Sequence, residues 1–317
     1  MVRFLKWVAG LLVVAIIGLV IAYWTPDTDA LAMRAKYGSA ASQYVDIGNG
    51  MTVHLRDEGP RDAPVIVLLH GSNSFLQTWD EWTVALTPNY RVIRFDQPGH
   101  GLTGSYPARD YSRAAFVDVV DRVTTKLGVQ RFVLAGNSMG GGVAWAYAHK
   151  HPEKLAGMVL VDASGEPEPK DSSPPLGFRL ARTPVVRDLM AYITPRSLIA
   201  DGLRQSVSNQ AIVTPAAIDR YWELLRYPGN RAATIDRFAT PREAPITGAL
   251  PQPIPTLILW GAEDKLIPAT SAAWFKRQVP AAQVVVYPKV GHLMMEEIPE
   301  RSVVDLKQWL AKLKPAR

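Results

Sequence analysis

Short apolar runs separated by helical patterns predict an α/β protein built on a parallel sheet covered on both faces. The runs are Val65–Leu69, Arg91–Phe95, Phe132–Ala135, Met158–Val161, Thr256–Trp260 and Gln283–Tyr287. Val65–Leu69 is apolar at every position, as expected of a strand with no solvated face. Between the runs, Thr78–Leu86, Ala114–Leu127, Gly141–His149, Ser271–Gln278 and Pro299–Leu313 carry apolar residues at helical spacing. The chain of 317 residues contains no cysteine. That excludes disulfide scaffolds, cysteine-based zinc sites, iron–sulfur clusters and thiol nucleophiles.

From the N-terminus, the uncharged stretch Trp7–Trp24 is about 18 residues long and as a helix reaches roughly 27 Å, close to the ~30 Å of a bilayer's hydrocarbon core. Trp7 at one end and Tyr23 and Trp24 at the other suit the membrane interfaces. Residues 1–24 are therefore expected to be a transmembrane anchor. Arg3 and Lys6 before it, and Asp27 and Asp29 after it, leave the N-terminus in the cytoplasm and the rest of the chain outside, in the periplasm if the source is bacterial. The alternative is a signal peptide cleaved at Ala30-Leu31-Ala32, giving a secreted protein. Residues 25–42 carry no pattern and read as a tether. Gly48-Asn49-Gly50 between Gln43–Ile47 and Met51–Asp57 signals a hairpin. Residues 43–165 and 251–317 then form the core. Residues 166–250 break the strand–helix alternation with prolines, arginines and helical stripes, so they read as a helical insertion. Thr214-Pro215 is a helix start, a cap followed by a proline at the first turn.

Lysine and arginine exceed aspartate and glutamate by 35 to 29, a formal charge of +6. The basic residues are scattered, and no helix-turn-helix, zinc-finger or RNP pattern accompanies them, so no nucleic-acid partner is expected.

The chemistry begins at Gly136-Asn137-Ser138-Met139-Gly140, which follows a buried strand and opens an alanine-rich helix. G-x-S-x-G in that setting is a strained turn that lifts the serine hydroxyl off the sheet edge. A serine at its free pKa needs an adjacent base. His292 lies on the loop after Gln283–Tyr287, at the same sheet edge, and is the expected base. His149 and His151 sit at the far end of the helix after Ser138. His54 reads as a surface residue of the hairpin, and His70 as a structural histidine in a tight turn. The imidazole needs an acceptor that fixes its tautomer. Asp264, directly after Thr256–Trp260, is the candidate, with Asp162 at the end of Met158–Val161 as its rival. Developing negative charge on an acyl oxygen needs backbone donors. The N–H of Met139 and that of Ser72, in the loop after Val65–Leu69, are expected to supply them.

These residues carry a resemblance. His70-Gly71, Asp96-Gln97-Pro98-Gly99-His100-Gly101, the Ser138 turn, and Gly291-His292 with upstream Asp264 make the chain similar to the α/β-hydrolase superfamily, in its serine-nucleophile branch. The resemblance implies a mostly parallel eight-stranded sheet flanked by helices, the triad order Ser–Asp–His, and a helical cap over the site at 166–250. It implies a serine hydrolase acting on a carboxylic ester, a small-molecule or lipid-like substrate, and no metal or organic cofactor. The Asn137–Gly141 wording is also similar to carbon–carbon hydrolases of meta-cleavage products, although Ser72-Asn73 and Leu293 depart from their usual pattern. A non-catalytic binding protein on the same fold is the third reading, and it would be expected to have a broken triad. The arginines of the cap admit an anionic substrate or lipid surface, against the plainer reading of a solvated helical face.

Overall fold

In the computed structural model, residues 2–167, 173–183, 186–240 and 243–313 are described. The strands are β1 Ser42–Asp46, β2 Thr52–Glu58, β3 Val65–Leu69, β4 Arg91–Phe95, β5 Phe132–Asn137, β6 Leu155–Val161, β7 Thr256–Gly261 and β8 Gln283–Tyr287. They form one eight-stranded sheet in the order β1-β2-β4-β3-β5-β6-β7-β8. β1, β2 and β4 pair antiparallel, and all pairs from β4 onward are parallel. The hairpin turn forms where the glycines require it: Gly48, Asn49 and Gly50 all have positive φ, and Ile47 and Met51 close the turn.

The helices are α1 Val2–Ala22, α2 Ala30–Tyr37, α3 Asp80–Leu86, α4 Arg113–Lys126, α5 Met139–Lys150, α6 Leu176–Leu180, α7 Val186–Met190, α8 Arg196–Ser206, α9 Pro215–Leu225, α10 Asn230–Ala239, α11 Thr270–Gln278, α12 Met294–Glu297 and α13 Pro299–Leu310. The period-2 geometry of a strand splits β3 between two apolar layers. Val67 and Leu69 pack with Val120, Trp145 and Phe275 of α4, α5 and α11. Ile66 and Leu68 pack with Trp82, Leu306 and Trp309 of α3 and α13. Each fully buried side chain of this kind contributes about 1.5–3 kcal/mol. The expectation of strands covered on both faces holds for β3 to β7, whereas the edge strand β8 is only partly buried.

Between β6 and β7 the chain leaves the sheet for α6–α10, which form the cap. α9 starts as its sequence requires, with the Thr214 hydroxyl accepting from the Ala217 N–H at 3.1 Å. Ala200, Leu203 and Ile218 of α8 and α9 join the apolar layer that also holds α3 and α13, so the cap is fused to the core.

The N-terminal segment departs from expectation. α1 is a helix of 21 residues, with Phe4, Trp7, Leu11, Ile17 and Ile21 all more than half exposed. Some of its side chains lie outside the described set, and among the described residues alone no helix is long and apolar enough to cross a membrane. The expected tether at 25–42 is corrected: it is a docked strap. Asp29 caps α2 by accepting from Ala32 N–H at 2.7 Å, and Met33 is buried against Phe75, Leu102, Leu224 and Tyr227. Ahead of α2, the Thr25 and Thr28 N–H groups donate to the carbonyls of Tyr192 and Arg226 in the cap, both at 2.9 Å. Arg231 of α10 donates to Asp27 at 2.6 Å and to the Thr25 carbonyl at 2.6 Å. Lys36 and Tyr37 both reach Glu223 at 2.6 Å. The polar residues that looked like solvent-facing linker are the hydrogen-bonding partners of the cap.

His54 is also corrected. It is fully buried, with Nδ1 2.7 Å from Asp96 Oδ2, because β2 is covered by the loop after β4.

Candidate active site

Ser138 sits between β5 and α5 with φ 54° and ψ −118°, a conformation that L-residues rarely adopt. Three backbone hydrogen bonds over-determine it: Ser138 N–H donates to Val161 at 3.0 Å, and the Ser138 carbonyl accepts from Ser164 at 2.9 Å and Gly142 at 3.1 Å. Such strain costs on the order of 1–3 kcal/mol and persists only when its surroundings hold it. Glycine is required at 136 and 140 by close approach. A Cβ on Gly136 would strike the Gly140 carbonyl, and one on Gly140 would lie 2.6 Å from the His70 oxygen.

His292 lies on the loop between β8 and α12, 4% exposed. Its Nδ1–H donates to Asp264 Oδ2 at 2.7 Å. The other oxygen of Asp264 accepts from the N–H groups of Leu266 at 2.8 Å and Ile267 at 3.0 Å. The carboxylate is thereby fixed by its own loop and aimed at the imidazole. The His292 main chain is held from two sides: its N–H donates to Ser206 of the cap at 2.8 Å, and its carbonyl accepts from Asn137 Nδ2 at 3.1 Å. Ser138 and His292 share the wall of one cavity, although no hydrogen bond joins their side chains among the described residues. Catalytic hydrogen bonds are often long without substrate.

Asp162, the rival acid, is buried behind this pair and does not bond the imidazole. Its Oδ1 accepts from Gly261 N–H at 2.8 Å and its Oδ2 has no partner among the described residues. Burial, and then the charge of Asp264, push its carboxyl well above the usual range. Asp162, Asp264 and His292 offer donor atoms within 4.8 Å of one another. As a metal site the set fits poorly. His292 and Asp264 already satisfy each other, Asp264 Oδ1 is taken by two amides, and burial disfavours the charged form of Asp162 that a metal would need.

The two expected oxyanion donors lie beside the serine. Met139 is the first residue of α5, so its N–H has no intrahelical acceptor. The Ser72 N–H has no protein acceptor among the described residues, and Ser72 lines the cavity with Ser138. Gly71 is required here, since a Cβ would come within 2.8 Å of Asn137 Oδ1 and 3.1 Å of Ser138 Cβ. His70 has the structural role expected of it. Its Nδ1–H donates to the Gly71 carbonyl at 2.7 Å and its Nε2 accepts from Gln97 N–H at 2.9 Å, so it is the neutral tautomer, and burial lowers its pKa.

Ser138 stands where two spaces meet. The first is apolar, walled by Phe178, Leu198, Leu203, Ile235, Phe238 and Leu293 with His292 and Ser72. The second is a cleft of mixed lining that reaches Ser138 and Met139, with Tyr111, Arg113, Glu166, Arg182, Arg237 and Glu243 set among apolar residues such as Phe116, Trp145 and Ile246. Sequence reasoning missed Arg237 of α10. It donates to His100 Nε2 at 2.6 Å, to Asn73 Oδ1 at 2.9 Å and to Met139 Sδ at 3.3 Å. Those partners come from two separate loops and the first residue of α5, and no local pattern connects them.

A buried strand running into a strained serine turn, with a histidine and its aspartate on later loops of a mostly parallel sheet and a helical cap above, defines a class of protein. Comparison with known families agrees: the family model for the alpha/beta hydrolase fold matches residues 64–299, and the chain belongs to that family. Among curated relatives, a 2-hydroxymuconate semialdehyde hydrolase from Pseudomonas sp. strain CF600 is 29% identical over 251 residues, 78% of this chain and 86% of that one. Among solved structures, a thermophilic esterase from Thermogutta terrifontis is 26% identical with a TM-score of 0.69, covering 86% of this chain and 99% of that one. A membrane phospholipase A described as a bacterial virulence factor shares the fold over 100% of both chains, with a TM-score of 0.73 and 24% identity.

Proposed function

We propose that the protein is a serine hydrolase that cleaves a carboxylic ester through an acyl-enzyme on Ser138. The strained Ser138 beside the His292–Asp264 pair carries this reading. His292 Nε2 takes the Ser138 proton as Oγ bonds to the ester carbonyl carbon. The Ser72 and Met139 N–H groups donate to the oxyanion. The carbon–alkoxy bond then breaks, and His292 gives its proton to the departing alcohol. A water molecule, deprotonated in turn by His292, attacks the acyl carbon and releases the acid and free Ser138. Asp264 holds the imidazole in the tautomer with Nδ1 protonated and stabilises its cationic form.

The apolar cavity supports a hydrocarbon acyl group, and α1 supports a membrane setting. At 21 residues α1 is about 31 Å long, enough for a bilayer core. In this reading it anchors the chain with Arg3 and Lys6 on the cytoplasmic side and the hydrolase domain outside. Cleavage at Ala32 would cut inside α2, a helix docked on the cap, which favours retention of the anchor over a secreted form. The substrate is then an ester that partitions into lipid. The full-length likeness in fold to a membrane phospholipase A agrees with this.

Labelling by a fluorophosphonate probe tests the nucleophile: the full chain should react and Ser138→Ala should not. Turnover of p-nitrophenyl esters should fall at least about 10³-fold in that variant. Retention of activity would overturn the reading. Resistance of the full chain to carbonate extraction from membranes tests the anchor. The second reading, a carbon–carbon hydrolase of a meta-cleavage-type dienoate, is favoured by the 2-hydroxymuconate semialdehyde hydrolase relative. Turnover of a ring-cleavage dienoate above that of every ester tried would establish it.

A further inference from the structure

The mixed cleft contains a cation without a paired carboxylate among the described residues. A buried or half-buried arginine is normally paired with a carboxylate, because an isolated charge in low dielectric is costly. Arg237 has no carboxylate within salt-bridge distance among the described residues; its hydrogen-bond partners are an imidazole, an amide oxygen and a thioether, and its guanidinium lies 5.2 Å from the Phe238 ring centroid. The His100 imidazole is neutral, since Nδ1–H donates to the Pro98 carbonyl at 2.9 Å and Nε2 accepts from Arg237. No acidic group pairs with Arg237 among the described residues, and Glu166 and Glu243, which line the same cleft, bond elsewhere. Asp236 accepts from Arg109 at 2.6 and 2.8 Å, Glu243 accepts from the Arg113 N–H at 2.6 Å, and Glu166 accepts from Ser271. Burial lowers the Arg237 pKa to about 10, and only Tyr111 raises it, so the residue stays cationic at neutral pH with no acid offsetting it. Its Nε–H has no protein acceptor among the described residues, and its side chain lines the cleft that opens on Ser138 and Met139.

We propose that Arg237 is the anion-recognition residue of this site: it binds a phosphate or carboxylate group of the substrate in the mixed cleft while the hydrocarbon part fills the apolar cavity. This rests on the serine-hydrolase reading and names its substrate class, an amphiphilic ester carrying a negative charge. Through Asn73 and Met139 the guanidinium also touches both segments expected to supply oxyanion donors. Seating an anion on Arg237 therefore bears on the geometry at Ser138.

Matched pairs on the full chain test it. One pair is a 1-acylglycerol and the same 1-acylglycerol 3-phosphate. The other is the dimethyl ester of a long-chain dicarboxylic acid and its monomethyl ester. The wild type should favour the anionic member of at least one pair by about 10-fold or more in kcat/KM, mainly through KM, the scale of one charged hydrogen bond. Which pair responds identifies phosphate or carboxylate. Arg237→Gln should lower the anionic substrate about 10-fold further than the neutral one, and Arg237→Lys should restore part of the difference. A binding measurement needs neither turnover nor a variant: decyl phosphate should bind the wild type at least about 10-fold tighter than decanol by calorimetry. No preference in either pair, equal affinities for decyl phosphate and decanol, or equal loss on both members in Arg237→Gln would each overturn the proposal. Failure of the hydrolase reading shows separately, as neutral-ester turnover that is absent or unchanged in Ser138→Ala.

Discussion

The His54 imidazole and the Asp96 carboxylate form a second buried histidine–aspartate pair, 2.7 Å apart and both fully buried, on the far side of the sheet edge from His292 and Asp264. Asp96 also accepts from the N–H groups of Leu76 at 2.7 Å and Leu102 at 2.8 Å, so it fastens the loop that carries His100. Burial opposes its charge, but the His54 hydrogen bond and charge outweigh it and hold the carboxyl below its ordinary value. A depressed carboxyl pKa contributes stability that is present above the unfolded value of about 3.9 and is lost as pH falls through the folded value. Asp96→Asn should lower stability at pH 7 by about 1–3 kcal/mol, the cost of disturbing the hydrogen bonds of a buried carboxylate. The deficit relative to wild type should shrink as pH is taken below 4. Urea unfolding at pH 7 and pH 3.5 measures both.

Ser138→Gly should abolish ester hydrolysis and raise the melting temperature. Relief of about 1–3 kcal/mol of backbone strain exceeds the roughly 0.5–1 kcal/mol that glycine costs through the unfolded chain. A shift of about 2–4 °C is expected for a net gain near 1 kcal/mol in a domain of this size. Calorimetry of the variant checks it.

Asp264→Asn should reduce kcat about 10⁴-fold with little change in KM, because the amide cannot hold His292 in the required tautomer. Asp162→Asn should keep most of its activity and differ instead in its pH–stability profile. The raised carboxyl pKa of Asp162 makes the folded wild type bind more protons than the unfolded chain above pH 4. Its contribution to stability is therefore lost as pH rises through that window. The asparagine variant should lose less stability between pH 4 and pH 8. Melting temperatures across that range decide, and the reverse ranking of the two variants in kcat would give the acid role to Asp162.

The docked strap predicts that two truncations differ. A chain starting at Thr25 keeps the contacts to the cap, whereas one starting at Ser39 removes Asp27 and leaves Arg231, 8% exposed, without its carboxylate. The shorter chain should melt several degrees below the longer one and show faster amide exchange in α9 and α10. Asp27→Asn alone should cost only about 1 kcal/mol, because Asp27 is 44% exposed. Equal melting temperatures for the two truncations would mean that the strap adds nothing to the cap.

What could be read from the sequence follows burial. β3, β5, β6 and β7 are legible because a strand covered on both faces must be apolar at nearly every position. Ser138 and Asp264 are legible because each follows such a run, and His292 because it follows the half-buried run of β8 to the same sheet edge. α2 is not legible, since Met33 is its one buried residue and a single apolar side chain has no period. His54 was misread because the loop that covers it lies about 40 positions later, and no local signal reports that cover. Arg237 is silent for the same reason: residues 73, 100 and 139 converge on it only in three dimensions.

The seam between strap and cap also sets an order of events during biosynthesis. Asp27 and its partner Arg231 are 204 positions apart, and Thr25 and Tyr192 are 167 apart. At ribosomal rates of about 5–20 residues per second, roughly 10–40 s pass between the emergence of Asp27 and that of Arg231. Phe75 and Leu102, against which Met33 packs, emerge early, but Leu224 and Tyr227 and the cap carbonyls that receive Thr25 and Thr28 follow only after β6. The strap therefore waits for its cap partners while β1 to β6 are already made. The stretch translated just after α1 is thus among the last to be seated.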